Sequence, residues 1–186
     1  MRLLLATRNA HKLREFGRLL PGLELDALPD AVEMPPETGQ TYADNALIKA
    51  RAAAAATGRA AIADDSGVEA EALGGRPGVR SARYAGPDAG DRDNLAKLRR
   101  EVPPRSRLEY VCVIAHAEPG GGEMLFFGRC AGTMAAEGTG TRGFGYDPVF
   151  VPEGERRTMA ELTDDEKDAI SHRGRAARAL LEWLSA

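Results

Sequence analysis

The stretch Ala60-Ala61-Ile62-Ala63-Asp64-Asp65-Ser66-Gly67 decides the fold of this chain. Its apolar residues, 60–63, predict a buried strand, and two adjacent carboxylates stand where the apolar run ends. Because side chains alternate along a strand, Asp64 and Asp65 cannot both face solvent on one side. We expect the strand to end at Ala63 and a Ser-Gly turn to follow. Carboxylates at such a strand end suit a hard cation such as Mg²⁺, although an Asp-Ser-Gly turn is also common without a metal.

Strands and helices alternate on both sides of this stretch. Apolar runs predict strands over 2–6, 60–63, 108–117, 123–130 and 148–151. Apolar stripes and capping residues predict helices that begin at Asn9, Thr41, Asp91, Thr163 and Ser171. The glycines 120–122 favour an antiparallel hairpin between two of the strands. The sequence therefore predicts an α/β fold with a mixed sheet flanked by helices, in which ligands bind at the carboxyl ends of strands.

Two segments are defined by their composition and not by a periodic pattern. Residues 29–40 are rich in proline and acid, and residues 74–90 are rich in glycine and proline, so both predict loops. In the last helix, a spacing of three or four residues predicts one buried side, formed by Ala176, Leu180, Trp183 and Leu184.

Composition and charge restrict the class of protein. The chain has 186 residues, of which 43% are hydrophobic and 28% charged, and its net charge is −3. These values are typical of a globular protein, and no basic block indicates a nucleic-acid surface. No apolar run approaches the length of a membrane span, and Leu3–Ala6 is too short for the core of an export signal. Cys112 and Cys130 lack a metal-binding spacing, so we expect them to be reduced thiols in a cytoplasmic protein. From the charge and the apolar runs, we expect no nucleic-acid or membrane partner.

The segment Thr7-Arg8-Asn9-Ala10-His11-Lys12 lies between a predicted strand and a predicted helix. Backbone N–H groups at a helix start attract phosphate, and the dipole there is worth ~0.3–1 kcal/mol for an exposed anion. Lys12 adds a full positive charge one turn into the helix. The segment is therefore typical of a phosphate site, and equally of an ordinary helix cap with a solvated lysine.

Three further segments allow both a binding role and a purely structural one. Asn45 and Lys49 share a helical face, although a solvated lysine is common in such a helix. The segment 143–148 combines glycines with aromatic residues, which is typical of a base-stacking loop or of a tight turn over a core. Ser171-His172-Arg173 places two cationic residues at a helix start, against the dipole, which indicates a function or simple exposure to solvent.

Taken in order, these segments resemble the Ham1/RdgB family of non-canonical purine nucleoside triphosphate pyrophosphatases. The matching motifs cover nearly the whole chain: Thr7-x-Asn9-x-x-Lys12, Glu37-Thr38-Gly39-x-Thr41, Asn45-Ala46-x-x-Lys49-Ala50, Ala63-Asp64-Asp65-Ser66-Gly67, Gly74-Gly75-x-Pro77-Gly78-Val79-x-Ser81-Ala82-Arg83-Tyr84, Gly143-Phe144-Gly145-Tyr146-Asp147-Pro148-x-Phe150, Lys167 and Ser171-His172-Arg173. Departures from the family pattern are few, and one of them is Arg8, where a small or polar residue is usual.

The resemblance implies an ITPase-like (Maf/Ham1) fold in which residues 1–186 form one domain of two lobes, with the active cleft between the lobes. It also implies a homodimer and Mg²⁺-dependent hydrolysis of ITP, dITP and XTP to the monophosphate and pyrophosphate. The implied metal ligands are Glu37, Asp64 and Asp65, and Asp65 is also the implied catalytic base. The implied substrate-binding residues are Thr7, Arg8, Asn9, Ala10, His11, Lys12, Lys49, Ser66, Phe144, Gly145, Tyr146, Asp147, Lys167, His172 and Arg173.

Purine selectivity follows from hydrogen-bond chemistry once this pocket is assumed. Hypoxanthine and xanthine carry a 6-keto acceptor, whereas adenine carries a 6-amino donor. Donors on His172 and Arg173 would pair with the first group and not with the second. Two alternatives remain open on the sequence: a Maf-type pyrophosphatase for pyrimidine or modified nucleotides, and a nucleotide-binding module without catalysis.

Overall fold

Six strands form one sheet in the order β2-β1-β3-β4-β5-β6. The computed structural model describes residues 2–186. The strands are β1 (Arg2–Leu5), β2 (Glu24–Ala27), β3 (Ala61–Ala70), β4 (Arg107–Ala117), β5 (Glu123–Met134) and β6 (Phe150–Pro152). Because β1 runs parallel to β2 and β3, while β5 and β6 are antiparallel, the sheet is mixed, and this prediction is confirmed.

Helices precede or follow the strands along the chain. Within the described residues they are α1 (Ala10–Leu19), α2 (Tyr42–Thr57), α3 (Asp91–Glu101), α4 (Asp164–Ile170) and α5 (His172–Leu184). The predicted caps are confirmed: Asn9 precedes α1, and Thr41 forms a capping box with Asp44 at the start of α2. Helix α2 ends at Gly58, whose φ of 64° is a left-handed conformation that glycine adopts without strain. No helix between residues 2 and 186 is both long enough and apolar enough to cross a membrane.

Strand β3 is longer than the sequence predicted. It runs from Ala61 through the acidic pair to Ala70, so the expected turn at Ser66-Gly67 does not exist, and Asp64 and Asp65 lie inside a strand and not at its end. Gly67 is required by close packing: a Cβ there would clash with the carbonyl oxygen of Gly78 and the hydroxyl of Ser81. The apolar residues Val68 and Ala70 continue the strand into a buried core.

Five smaller points of the prediction are corrected. Strand β2 was missed because its four residues, Glu-Leu-Asp-Ala, form a half-exposed edge strand without an apolar run. Strand β5 extends past the predicted end, to Met134. The predicted loop 74–90 contains a 3₁₀ helix over Gly78–Arg83, and the predicted strand over 148–151 begins only at Phe150. Trp183 was expected on the buried side of α5 but is 39% exposed, since it packs at the margin, against His116 and Phe126.

The chain divides into two compact units, each with its own apolar core. Unit 1 consists of the residues up to Asp65, Cys112–Gly128 and Arg175–Ala186; unit 2 consists of Ser66–Val111 and Arg129–Gly174. The core of unit 1 joins β1, α1 and α5 through residues that include Leu3, Phe16 and Leu180. The core of unit 2 joins β3, α3 and β6 through residues that include Val68, Leu98 and Phe150.

Candidate active site

The segment after β1 is arranged as a capped helix start. The side-chain oxygen of Asn9 accepts hydrogen bonds from the backbone N–H groups of His11 at 2.9 Å and Lys12 at 3.3 Å. The N–H of Asn9 in turn donates to the hydroxyl of Thr7 at 3.2 Å. Since the cap already uses two of the N–H groups in the first turn, a phosphate here would depend largely on side chains.

Lys12 reaches from this helix start to the acidic pair. Its Nζ lies 2.9 Å from Oδ2 of Asp64, a carboxylate that is fully buried. The thiol of Cys112, on β4, lies 3.9 Å from the same oxygen. Burying a carboxylate is costly unless it is paired, so the ion pair with Lys12 explains how Asp64 is tolerated inside a strand.

Helix α2 brings Asn45 and Lys49 to the second acid, Asp65. The amide of Asn45 donates to Oδ2 of Asp65 at 3.0 Å, and Nζ of Lys49 lies 4.0 Å from Oδ1. Nζ of Lys49 also donates to Glu37 at 2.6 Å, so one lysine contacts carboxylates from a loop and from β3. Only 11% of the Lys49 side chain is exposed, so Lys49 is not a solvated lysine.

The charged side chains of this group shift one another's pKa values. Burial raises the pKa of Asp65, as does the nearby carboxylate of Glu37, while Lys49 and the hydrogen bond from Asn45 oppose that rise. Burial by itself would lower the pKa of Lys49, but Asp64, Asp65 and Glu37 together outweigh it and raise that pKa. Lys49 is therefore held as a cation in a poorly solvated place.

Asn45 belongs to the site although the sequence did not assign it a role. It is fully buried, and its side-chain oxygen accepts a hydrogen bond from the N–H of Gly39 at 2.8 Å. A Cβ on Gly39 would come within 2.7 Å of that oxygen, so only glycine allows the approach. A signal existed in the sequence, because Asn45 lies four residues before Lys49 on the same helical face.

A magnesium site was predicted at Glu37, Asp64 and Asp65. Among residues 2–186, no group of three or more His, Cys, Asp or Glu side chains is arranged so that it could hold a metal ion. The three carboxylates instead contact Lys12 and Lys49. Their oxygen chemistry nevertheless fits Mg²⁺, which proteins commonly bind through one or two carboxylates together with the phosphates of a substrate.

In unit 2, Asp147 organises the loop that was predicted to meet a base. Its carboxylate accepts hydrogen bonds from Lys167 Nζ at 2.6 Å, from the hydroxyl of Tyr110 at 3.0 Å and from the N–H of Phe144 at 2.9 Å. A Cβ on Gly143 would clash with this carboxylate, and its φ of 71° also favours glycine. Burial, together with the neighbouring Asp147, raises the pKa of Tyr110, so its hydroxyl remains a donor.

The residues at the start of α5 join the same group. The ring of His172 stacks on Tyr110 with centroids 4.5 Å apart and an interplanar angle of 13°. Nη2 of Arg173 donates to the hydroxyl of Ser66 at 2.7 Å, and its guanidinium lies 5.6 Å from the ring centroid of Phe144. Both residues are buried, which argues against exposure to solvent as the reason for two cationic residues at a helix start.

Eleven of the predicted site residues fall into two groups, and three are outliers. Of the other four, Thr7, Asn9 and Ala10 lie at the start of α1, and the N–H of Gly145 donates to the carboxylate of Asp91 at 3.0 Å. The carboxylate cluster, in unit 1, gathers Lys12, Glu37, Lys49, Asp64 and Asp65, with the added Asn45. The loop cluster, in unit 2, gathers Ser66, Phe144, Asp147, Lys167, His172 and Arg173, with the added Tyr110.

The side chains of the three outliers contact residues outside both groups. Arg8 donates to the carbonyl oxygens of Leu28 at 2.9 Å and Pro29 at 2.7 Å, which fixes the following loop. The ring of His11 is exposed, with Nδ1 2.8 Å from Arg14. The hydroxyl of Tyr146 donates to the carbonyl oxygen of Ser81 at 2.7 Å, which anchors it within unit 2.

Comparison with known proteins gives a consistent result. The model of the Ham1 family matches residues 3–183. A protein of Frankia alni named dITP/XTP pyrophosphatase is 49% identical, with 99% of this chain and 97% of the relative covered. Among solved structures, a HAM1 protein from Coxiella burnetii is 41% identical and the Ham1 protein of Staphylococcus aureus is 36% identical. Each matches with a TM-score of 0.88 and covers all of this chain and 98% of the other.

Proposed function

Because this chain belongs to the Ham1 family, we propose that it hydrolyses the non-canonical purine nucleoside triphosphates ITP, dITP and XTP to the monophosphate and pyrophosphate. The observation that carries the proposal is the buried acidic pair, with Lys12 on Asp64 and with Asn45 and Lys49 beside Asp65. A protein that only binds phosphate gains nothing from carboxylates beside its anionic ligand. A hydrolase needs them, both to accept a proton and to hold a cation.

Asp65 is proposed as the general base. It accepts a proton from the water whose oxygen attacks the α-phosphorus, and the bond from that phosphorus to the bridging oxygen of the β-phosphate breaks, so that pyrophosphate leaves. The hydrogen bond from Asn45 fixes Oδ2 of Asp65 and so orients the carboxylate that is proposed to accept the proton. This arrangement gives Asn45 the role of a positioning residue.

Glu37 and Asp65, assisted by Asp64, are proposed to hold Mg²⁺ together with the substrate phosphates. When bound, the ion supplies positive charge that stabilises the phosphates of the leaving group. Lys12 and Lys49 already contact these carboxylates, so both lysines lie where the phosphates of a substrate would need them. Thr7 and Asn9, with the start of α1, are proposed to complete the phosphate site.

The loop cluster is proposed to recognise the purine. Phe144 offers a ring for stacking, and Lys167, His172 and Arg173 offer donors for a 6-keto oxygen. A site whose polar groups must pair with one substrate group can reject an analogue by ~10⁴–10⁵. Asp147 already accepts three hydrogen bonds from the protein, so its proposed contribution is to hold the loop in place for the base.

The test is pyrophosphate release from a panel of ITP, XTP, dUTP, UTP, ATP and GTP with Mg²⁺. We expect ITP and XTP to react fastest. An Asp65→Asn variant, purified in parallel, controls for contaminating phosphatases. Hydrolysis of the pyrimidine nucleotides alone, or of none of the six, would refute the proposal.

A cytoplasmic homodimer is the proposed form of the enzyme. The two cysteines, Cys112 and Cys130, are buried and are not joined in a disulfide, in keeping with a reducing compartment. Sedimentation equilibrium of the purified chain tests the dimer, since a monomer mass at micromolar concentration would exclude it. Cell fractionation of the native host tests the location.

A further inference from the structure

Unit 2 carries a cavity of about 570 Å³ that none of the residues assigned above lines. Its nine lining residues include four cations and no carboxylate: Arg76, Pro77, Arg80, Arg83, Tyr84, Ala85, Gly86, Pro87 and Lys97. The whole chain, by contrast, has a net charge of −3. Positive charge is thus concentrated at one cavity of a protein that is acidic as a whole.

Three of these cations have no carboxylate to neutralise them. In the part of the chain that the structure describes, Arg76, Arg80 and Lys97 form no ion pair, and Arg76 and Lys97 donate only to the carbonyl oxygens of Leu73 and Tyr84. Elsewhere in the chain, arginines with carboxylates within 4.0 Å are common: Arg2, Arg8, Arg51, Arg59, Arg129 and Arg157. Among the described residues, three of the four cations that line the cavity therefore have no carboxylate within 4.0 Å to offset their charge.

A rigid frame holds the cavity walls. Asn94, buried on α3, donates to the carbonyl oxygen of Ala82 at 3.0 Å and accepts from the N–H of Ala85 at 2.8 Å. Ser81 accepts from the N–H of Val68 at 2.9 Å, which fixes the 3₁₀ helix that bears two of the arginines. A preorganised wall loses little conformational entropy when a ligand binds.

We propose that this cavity is a second binding site, for a compact polyphosphate anion. Guanidinium groups match phosphate oxygens with paired hydrogen bonds, and Lys97 adds a point charge from α3. A volume of about 570 Å³ is within the usual range of small-ligand pockets and accommodates a di- or triphosphate group. The anion can be free pyrophosphate or the phosphate tail of a nucleotide. The site does not depend on the proposed hydrolysis, because binding can be measured without turnover.

The test is isothermal titration of inorganic pyrophosphate, in EDTA, into the wild type and two double variants. Arg76→Ala/Arg80→Ala removes two lining cations, whereas Arg99→Ala/Arg100→Ala removes two exposed arginines of α3 that do not line the cavity. We expect the first variant to bind at this site roughly 10-fold more weakly or worse, and the second to match the wild type. All three proteins should hydrolyse ITP equally, which shows that they are folded.

Two further titrants identify the source of the anion. A non-hydrolysable ITP analogue with a methylene group between the α- and β-phosphates tests the nucleotide tail, and a short DNA duplex tests nucleic acid. The site is supported if the Arg76/Arg80 variant alone binds pyrophosphate or the ITP analogue more weakly. The ligand that is affected identifies the source of the anion. If all three proteins bind pyrophosphate equally and also bind the ITP analogue equally, the proposed site is overturned. Binding of the duplex alone that is lost in that variant also overturns it, in favour of a nucleic-acid surface. Failure of all three proteins to hydrolyse ITP would bear on the proposed function alone.

Discussion

Asn45 donates its side-chain amide to Asp65 at 3.0 Å, and both residues are at least 95% buried. Asn45 is itself held by the N–H of Gly39 at 2.8 Å. Hydrogen bonds run in this way from the loop before α2, through the helix, to the proposed catalytic base on β3. One oxygen of that base is fixed, and its orientation depends on a residue that is not proposed to touch the substrate.

Asn45→Ala should lower kcat for ITP by about 10- to 100-fold, because Asp65 loses the hydrogen bond that orients it. Asn94→Ala is the matched control, since Asn94 is also buried and hydrogen-bonded but lies on α3 in unit 2. Both variants should lower the midpoint of thermal unfolding. If the two lose the same fraction of kcat after correction for folded protein, Asn45 has no specific role in positioning the base.

Asp65→Asn should reduce kcat by at least ~10²–10⁴, because the variant can neither accept the proton nor neutralise a cation. The substitution preserves the size of the side chain. Asp26→Asn serves as the control, because Asp26 pairs with Arg2 and Arg59 and has no proposed role in catalysis. Turnover close to that of the wild type in Asp65→Asn would remove Asp65 from the mechanism.

The sequence was a good guide to local structure wherever one residue determines it. Asn9 and Thr41 were predicted to mark helix starts, and they do, because a cap is formed by neighbours in the chain. The course of β3 was mispredicted because adjacent acids and a Ser-Gly pair are typical of a turn. Asp64 is paired inside the strand with Lys12, and no local pattern reveals that ion pair.

The candidate site shows the same limit. Lys49 appeared to be a solvated lysine on the pattern alone, yet it is buried against Glu37. Tyr110 could not be found at all, because one tyrosine in an apolar strand gives no sign that it will stack on His172. The ordered set of motifs identified the family where single residues could not, since a family pattern implies long-range contacts that composition and period do not.

Lys49→Met should lower the midpoint of thermal unfolding in EDTA. Addition of Mg²⁺ should raise that midpoint by more in the variant than in the wild type. Without the lysine, Glu37 and Asp65 lose a buried cation, and breaking such a pair typically costs ~3–5 kcal/mol. Arg51→Met, on the same helix, breaks an exposed pair with Glu123 and should change little. Equal responses of both variants to Mg²⁺ would count against the proposed cation site.

Acid should weaken the start of α4, which carries Lys167. Hydrogen bonds from Arg157, followed by the N–H of Thr163, lower the pKa of Glu166 from 4.5 to about 2. A lowered pKa in the folded state stabilises the protein above pH 4.5, and that stabilisation is lost as the pH falls from 4.5 through about 2.

The free-energy gap between the wild type and Glu166→Gln should therefore be largest at neutral pH and shrink in this acid range. Urea unfolding at neutral pH and at steps down to about pH 3 measures it. Glu137→Gln, at an exposed position, controls for the loss of one negative charge. If this difference in the free energy of unfolding stays constant with pH, the interaction of Glu166 with Arg157 does not account for the stabilisation.

Arg173 provides the sharpest test of base recognition. The residue is 2% exposed and donates to the hydroxyl of Ser66, so Arg173→Met, which retains the apolar stem, is preferable to alanine. The guanidinium is proposed to donate to the 6-keto oxygen, and adenine would leave that donor unpaired at ~1–3 kcal/mol. The variant should therefore lose kcat/KM for ITP and narrow the ITP:ATP ratio by roughly 10-fold. Lys12→Ala should lower both rates alike, because the phosphates of the two nucleotides are the same. If Arg173→Met reduces ITP and ATP hydrolysis by one common factor, Arg173 does not recognise the base, and the proposed role of the α5 start is wrong.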